Sequence, residues 1–194
     1  MKRDASASPY AILGMLSLCP MSGYDIKKMV ESSISHFWNE SYGQIYPLLK
    51  KLERKGLAVS RAESKPGKPD RLVYSITERG RQELEKWLQR EPATQPIRHE
   101  LLLKLFFASP ADAPAMSAHV ERLQTDHTAS LEKYRAIEAG LVRRFEGHPQ
   151  LPFWLFTLDF GRHRSQGIVD WCKGTRSRLQ EIRPAPTNAK KGKR

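Results

Sequence analysis

Residues 41 to 56, SYGQIYPLLKKLERKG, decide the fold of the first half of the chain. Ser41 and Gln44 have the spacing of a capping box, in which side chains satisfy the free backbone amides at a helix start. Four apolar residues then recur at i, i+3, i+4 and i+7 of one helix face: Ile45, Leu48, Leu49 and Leu52. Gly56 provides a C-terminal cap, so the sequence predicts an amphipathic helix from Ser41 to Lys55.

Pro47 is the irregular residue of this helix. A proline inside a helix removes one backbone hydrogen bond and crowds the carbonyl four residues back. We expect a kink at Pro47, because Ile45 already fits the apolar stripe. The alternative is that the regular helix begins near Tyr46.

Two shorter helices are predicted before this one. The first is predicted to have Ser8 as its N-cap and Pro9 as its first helical residue, and the second begins at the capping box Ser22-Gly-Tyr-Asp25. Their apolar positions are Ile12, Leu13, Leu16, Ile26, Met29 and Val30. The chain therefore opens with three helices joined by short turns.

Beyond Gly56 the apolar period becomes the alternation of strands. The alternating positions are Leu57 and Val59, then Leu72, Tyr74 and Ile76. Between them residues 63 to 71, ESKPGKPDR, predict a basic hairpin tip stiffened by proline. Three helices followed by a hairpin are the order of a winged helix-turn-helix, whose third helix enters the major groove of DNA.

The exposed side chains of the third helix and of the hairpin are the predicted DNA contacts. Glutamine suits adenine, lysine suits phosphate or guanine, and cations on a hairpin suit backbone contacts. The predicted set is Ser41, Tyr42, Gln44, Tyr46, Lys50, Lys51, Lys65, Lys68 and Arg71. Each of these taken singly would be an ordinary solvated residue, so the prediction depends on their ordered combination.

Composition agrees with an acidic partner. The chain has 33 Lys and Arg against 21 Asp and Glu, a formal net charge of +12, which attracts nucleic acid and, less directly, an anionic membrane. No apolar run approaches the roughly 20 residues of a membrane helix, and the N-terminus lacks the apolar part of a secretory signal. We therefore expect a soluble, cytoplasmic protein that contacts no membrane. Cys19 and Cys172 stand alone, which favours reduced thiols.

Residues 91 to 96, EPATQP, predict a linker. It separates a winged helix-turn-helix domain over residues 1–92 from a helical domain over residues 97–182, and residues 183–194 are predicted to be a disordered basic tail. The expected fold class is therefore mainly α. In the second domain, residues 101–107, LLLKLFF, are apolar nearly all round and predict a buried helix closed by Pro110 and Pro114.

A long helix beginning near Met116 is predicted to carry a dimer interface. Its apolar residues recur every three or four positions from Val120 to Phe145, close to a heptad but with His127 at one slot. The predicted interface residues are Val120, Leu123, Leu131, Tyr134 and Leu141. The alternative is that this helix packs wholly within its own subunit. A last helix carries aromatic residues that predict dimer core or, alternatively, an apolar pocket for an aromatic ligand: Phe153, Trp154, Phe156 and Phe160.

Catalysis and metal binding have little support in the sequence. Asp159-Phe-Gly161 matches a kinase tripeptide, but the sequence has no glycine-rich phosphate loop and no His-Arg-Asp catalytic loop. The six histidines form no tight cluster. No catalytic residue, metal site or cofactor is predicted.

Several ordered motifs between residues 8 and 90 resemble the PadR family. They are Tyr10-Ala-Ile-Leu-Gly14, Ser22-Gly-Tyr-Asp25, Gly43-Gln-Ile-Tyr-Pro-Leu-Leu49, Leu52-Glu-Arg-Lys-Gly56 and Tyr74-Ser-Ile-Thr-Glu-Arg-Gly80. The helical second half is similar to the longer PadR branch that includes AphA-type virulence activators. The resemblance implies a homodimer joined through its C-terminal helices, which binds a palindromic operator, usually represses, and in some members is released by phenolic or other aromatic ligands.

The predicted function is therefore sequence-specific regulation of transcription by a homodimer on double-stranded DNA. Two modules related by a two-fold axis read half-sites about 34 Å apart, which multiplies specificity. Two alternatives remain at this point. One is a nucleoid-like protein that binds DNA without sequence preference, and the other is a ligand sensor that acts through a protein partner.

Overall fold

The first unit of the chain is built from helices and a small sheet. The computed structural model describes residues 7–38, 42–63, 71–93 and 98–182, and the chain divides into two units, Met1–Gln95 and Pro96–Arg194. In the first unit α1 (Ser8–Leu18), β1 (Met21–Ser22) and α2 (Gly23–Ser32) precede a 3-10 turn (Tyr42–Gln44) and α3 (Ile45–Arg54). The hairpin strands β2 (Ala58–Glu63) and β3 (Arg71–Ile76) follow, and α4 (Glu78–Leu88) ends the unit. This order confirms the winged helix-turn-helix prediction.

The three strands form one antiparallel sheet in the order β1-β3-β2. Ser60 pairs with Tyr74, and Glu63 pairs with Arg71 at the tip end of the hairpin. Tyr74 also pairs with Met21, and both side chains are buried. β1 therefore ties the hairpin to the turn between α1 and α2.

The apolar faces predicted for the first three helices meet in the core. Leu13 and Leu16 of α1, Ile26 of α2, and Leu49 and Leu52 of α3 are almost completely buried in one cluster. Full burial of such a side chain contributes about 1.5 to 3 kcal/mol each. This packing fixes which side of α3 remains exposed.

Two expectations about helix starts are wrong. α1 begins at Ser8, after Ala7, so Ser8 is the first helical residue and not its cap. α3 begins at Ile45, which places Pro47 in the first helical turn, where the backbone amides have no partner within the helix. The expected kink at Pro47 is therefore wrong, and a helix that begins beside Tyr46 is the closer description.

The start of α4 packs closely against the start of the hairpin. The Thr77 hydroxyl accepts a hydrogen bond from the Gly80 amide (3.0 Å) and donates one to the Gly56 carbonyl (2.7 Å). A Cβ at Gly80 would overlap the Leu57 carbonyl oxygen and lie 2.8 Å from Cγ1 of Ile76. Only glycine fits at this contact.

The second unit is helical. It contains α5 (Glu100–Phe107), a 3-10 turn (Pro110–Asp112), α6 (Ala113–Arg144) and α7 (Leu151–Glu181). α6 and α7 pack along much of their length. Pro114 lies at the start of α6, so it opens that helix and does not close α5 as expected.

The expectation that α5 is buried is wrong for the single chain. None of its residues is buried, and Phe106 and Phe107 are 81% and 74% exposed. Leu102 and Leu103 are also exposed. An apolar helix that its own unit leaves uncovered indicates a surface that another molecule covers.

His127 of α6 contacts α7 through a buried hydroxyl. Its Nδ1 lies 3.0 Å from Oγ of Ser165, which is 2% exposed. Burial lowers the pKa of His127, so its neutral form is favoured at pH 7. The histidine therefore joins the two helices and is not a fully solvated surface residue.

Within the described ranges, no helix has both the length and the hydropathy needed to cross a bilayer. The predicted tail, residues 183–194, lies outside the described residues.

We predict that Gly80→Ala lowers the free energy of unfolding by about 2 to 3 kcal/mol, because the added methyl group forces α4 away from the Leu57 carbonyl. Urea denaturation followed by circular dichroism measures the change. Gly14→Ala is the matched control, since a Cβ there meets nothing within 4 Å and Gly14 lies inside α1. The control should gain about 0.5 to 1 kcal/mol. Equal stability of the two variants would contradict the close contact.

Candidate nucleic-acid interface

The exposed side of α3 is polar and basic. Ile45, Leu49 and Leu52 are buried and Leu48 is half-buried, whereas the polar residues and Pro47 on the other side of the helix are exposed. The exposed set is Gln44, Tyr46, Pro47, Lys50, Lys51 and Arg54. Lys50 and Arg54 lie one turn apart, and Nε of Arg54 donates a hydrogen bond to the Lys50 carbonyl (3.4 Å). An exposed helix with donors of this kind can enter the major groove of DNA.

The predicted contact residues divide into three groups. Gln44, Tyr46, Lys50 and Lys51 are exposed on or beside α3. Ser41, Lys65 and Lys68 lie outside the described residues, as does the side chain of Tyr42. Arg71 is described, but its charge is engaged within the chain.

Tyr46 leans toward the start of α2. A Cβ at Gly23, the first residue of α2, would lie 2.6 Å from Cε1 and 2.8 Å from Cζ of the Tyr46 ring. The ring therefore rests against the bare backbone of Gly23. Tyr46 is still 56% exposed, so its outer edge remains free for a ligand.

The start of α2 is held by the predicted capping box. The Asp25 amide donates to Oγ of Ser22 (3.2 Å), and the Ser22 amide donates to Oδ2 of Asp25 (3.1 Å). The Ser22 hydroxyl also donates to Oδ2 of Asp25 (2.7 Å). This last bond is the main cause of a lowered pKa at Asp25, and Arg71 lowers it further. The carboxylate stays charged at neutral pH, as a cap at the positive end of a helix requires.

Arg71 connects the hairpin to α2. Its guanidinium bonds Oε2 of Glu63 across the strand pair (Nη2 2.6 Å, Nε 2.7 Å) and lies 3.4 Å from Oδ2 of Asp25. Two carboxylates therefore compensate the cation that the sequence assigned to DNA. In the structure Arg71 braces the hairpin against α2, and its contact with DNA stays a prediction. The cross-strand position of Glu63 opposite Arg71 is the signal that could have shown this.

Sequence reasoning missed two exposed cations of this surface. Arg54 lies on the outer side of α3, and Arg61 is exposed on β2. Neither was predicted as a contact, because Arg54 lies near the C-terminal end of α3 and Arg61 lies in a strand that was located only by its apolar positions. Arg54 adds positive charge to the side of α3 that carries Lys50, and Arg61 adds positive charge to the hairpin.

The dimer seam predicted on α6 needs correction at two positions. Val120 is completely buried and Tyr134 is 7% exposed within the single chain. The Tyr134 ring lies against Gly161 of α7, where a Cβ would come within 2.9 Å of it. These two residues pack within their own subunit, which is the alternative that the sequence left open. Leu123, Leu131 and Leu141 are half-buried.

The aromatic residues of α7 do not enclose a pocket in the single chain. Phe153, Phe156 and Phe160 are each about two-thirds exposed. Trp154 is half-buried, stacked on His148 (5.0 Å between ring centroids) and edge-on to Phe145 (5.1 Å). The single chain therefore does not form this pocket by itself, and an effector pocket at these residues stays a prediction. The three phenylalanines form an exposed apolar stripe, which we call the α7 stripe.

Two family models match the chain. Residues 12–86 match the transcriptional regulator PadR-like family, and residues 97–180 match the family described as virulence activator alpha C-term. A probable transcriptional regulator of Mycobacterium tuberculosis is 31% identical over 194 residues, which cover 91% of this chain and 100% of that protein. The negative transcriptional regulator PadR of Bacillus subtilis is 39% identical over 101 residues, and the match covers 52% of this chain and only 56% of that protein.

Solved structures resemble the whole chain. Bacillus subtilis PadR in complex with operator DNA superposes with a TM-score of 0.77 at 28% identity, covering 93% of this chain and all of that one. The same protein in complex with p-coumaric acid gives a TM-score of 0.71 at 27% identity, with 90% and 99% covered. The Vibrio cholerae virulence activator AphA gives 0.70 at 27% identity, with 90% and 99% covered.

We predict that Gly23→Ala weakens binding to a preferred DNA duplex by about 1 to 2 kcal/mol, because its methyl group displaces the Tyr46 ring. The free energy of unfolding should change little. Alanine has less conformational freedom than glycine in the unfolded chain, and this gain offsets the cost of moving the ring. Fluorescence anisotropy with a duplex selected by the wild-type protein measures the loss.

A double-mutant cycle is the control for Gly23. In a Tyr46→Ala background the second change, Gly23→Ala, should have almost no further effect on DNA affinity. A loss of the same size with and without the tyrosine would show that Gly23 does not act through Tyr46.

Proposed function

The chain belongs to the PadR-like family of transcriptional regulators, and we propose that it binds a palindromic operator as a homodimer and represses transcription there. The protein acts in the cytoplasm, on double-stranded DNA, and has no catalytic role. The winged domain, residues 1–92, binds DNA. The helical domain, residues 97–182, joins the two protomers, and the basic tail, residues 183–194, adds non-specific attraction to DNA.

The exposed polar side of α3 carries the DNA-binding proposal. Burial of Ile45, Leu49 and Leu52 leaves Gln44, Tyr46 and Lys50 at the surface, where an amide can bond adenine and a cation can meet guanine or phosphate. The overall likeness to Bacillus subtilis PadR, whose structure contains operator DNA, supports this use of the helix.

Exposed apolar residues of the second unit support a homodimer. The α7 stripe and the phenylalanines of α5 are more exposed than an isolated soluble protein tolerates in one unit. Burial of a phenylalanine side chain contributes about 1.5 to 3 kcal/mol, and two-fold symmetry doubles every such contact. The interface therefore uses α5 and α7, and not Val120 and Tyr134 of α6.

An aromatic small molecule is the proposed effector. A related protein, Bacillus subtilis PadR, has been crystallised with p-coumaric acid. A ligand of this kind can bind among aromatic side chains. In this chain Trp154 stacks on His148, and the neighbouring Phe153 remains exposed. An effector site at these rings requires the partner protomer to cover it, because the single chain leaves them open.

Sequence-blind binding is the second candidate function. The net charge of +12 would hold any duplex through counterion release. Selection of duplexes from a random pool separates the two candidates. An enriched palindrome bound by a dimer supports the operator proposal, whereas retention of all sequences alike supports a nucleoid-like role.

We predict that Gln44→Ala lowers affinity for the selected palindrome by about tenfold and leaves affinity for random DNA almost unchanged, because a lost base contact costs about 1 to 3 kcal/mol only where the right base is present. Anisotropy titrations on both duplexes measure the ratio. Gln89→Ala, an exposed glutamine after α4, is the matched control and should change neither affinity. Equal losses on both duplexes would remove Gln44 from base recognition.

We also predict that Phe156→Glu raises the dimer dissociation constant at least about a hundredfold, because an unpaired carboxylate in an apolar interface costs several kcal/mol. Sedimentation equilibrium measures the constant. Thr125→Glu adds the same charge at an exposed position of α6 and should leave the dimer intact. A Phe156→Glu protein that remains dimeric would exclude the α7 stripe from the interface.

A further inference from the structure

A cleft of about 580 Å³ lies beside the C-terminal half of α3, between that helix and the starts of α1 and α4. Its floor is apolar, formed by Leu13, Leu52 and Leu57. Its remaining lining residues are polar or lie at the start of α1: Pro9, Tyr10, Lys51, Arg54, Lys55, Arg79 and Glu83. We call this feature the basic cleft.

The cations of the basic cleft have no carboxylate partner among the residues that the structure describes. No ion pair joins Lys51, Arg54, Lys55 or Arg79 to an acidic side chain of those residues. The lining carboxylate, Glu83, is already engaged: it accepts a hydrogen bond from the Tyr10 hydroxyl (3.0 Å) and pairs with Arg90 (3.4 Å). Four exposed cations therefore converge on one concave surface with their charge uncompensated, which favours an anionic ligand.

The position of the cleft indicates which anion occupies it. Arg54 belongs to the outer side of α3 and also lines the cleft, so the basic surface continues from one to the other. The opposite side of α3 faces Gly23 through Tyr46, and it faces the hairpin through Glu53, whose Oε1 accepts hydrogen bonds from the amide (3.1 Å) and the hydroxyl (2.6 Å) of Ser60. A major groove is about 12 Å wide and is bordered by two rows of phosphates, so a helix inserted in it has a phosphate row on each flank. The hairpin lies on the flank of one phosphate row, and the basic cleft lies on the flank of the other.

We propose that the basic cleft binds a backbone phosphate of the operator on the flank of α3 opposite the hairpin, with Lys51, Lys55 and Arg79 as its charged donors. The proposal rests on the proposed function of this chain as a DNA-binding regulator. It assigns a DNA contact to α4, through Arg79, and to the end of α3, through Lys55. These contacts set affinity and orientation and carry no sequence information.

The test is the salt dependence of operator affinity for a double variant, Lys55→Gln with Arg79→Gln. Each neutralised phosphate contributes about 0.9 to the slope of log affinity against log salt, so the slope of a dimer that loses one phosphate contact per protomer should fall by about 1.8. Affinity for the palindrome and for random DNA should fall together, by more than about tenfold at 0.1 M salt.

The matched control is Arg81→Gln with Lys86→Gln, which removes the same charge from exposed positions of α4 that do not line the cleft. It should leave the slope within about 1 of the wild-type value, because separated surface charges are screened at this salt concentration. Circular dichroism and urea denaturation of both variants establish that each is folded.

Three outcomes would overturn the proposal. An unchanged slope in the folded cleft variant excludes a phosphate contact, and an equal fall in the control variant reduces the effect to net charge. The third outcome is measured by calorimetry with pyrophosphate in the absence of DNA. If the wild-type protein binds pyrophosphate saturably, the cleft variant does not, and the salt slope for DNA is unchanged, the cleft binds a free phosphate compound. If the wild-type protein binds no duplex at all, the proposed function itself fails, which the first titration shows.

Discussion

The burial of one face of α3 against α1 and α2 is the constraint on which the DNA-facing surface depends. Leu49 and Leu52 are almost fully removed from solvent together with Leu13 and Ile26. Because side chains at i, i+3 and i+4 share a helix face, fixing these leucines also fixes Lys50 and Arg54 on the opposite side. The identity of the outward residues can change without loss of the core, so base preference and stability are determined by different residues of the same helix.

A second layer of contacts positions the elements around that helix. Thr77 and Gly80 hold the start of α4 against the end of α3, and Arg71 holds the hairpin against the Asp25 cap of α2. These contacts are exposed ion pairs and short polar bonds, which add little to stability individually. Their effect is geometric: they limit how far the hairpin and α2 can move relative to α3. This restriction favours DNA binding, because an element that is flexible in the free protein loses conformational entropy when the duplex binds.

The parts of this fold that sequence reasoning recovered are those with a local cause. The apolar period of residues 45–52 and the capping box at Ser22 act over a few residues, and both are present as predicted. β1 has only two residues, too few to show a strand period, and it forms because β3 is available to pair with it. The contact between Arg71 and Asp25 was not predicted, because the two residues lie 46 positions apart in the chain and meet only after folding.

The errors in the second unit have a different physical cause. An apolar helix face predicts that the face is buried, but it does not predict whether the same chain or a second copy buries it. Burial within one chain and burial between two copies have the same transfer free energy per unit area. α5 was therefore assigned to the core and Val120 and Tyr134 to the partner, whereas the single chain covers the second pair and leaves Phe106 and Phe107 exposed. Packing geometry supplies the missing information: Gly161 admits the Tyr134 ring at a distance that no other residue would allow. Small residues opposite aromatic rings thus mark the contacts that a chain completes by itself, and the α7 stripe, which has no such counterpart among the described residues, remains available for a second copy.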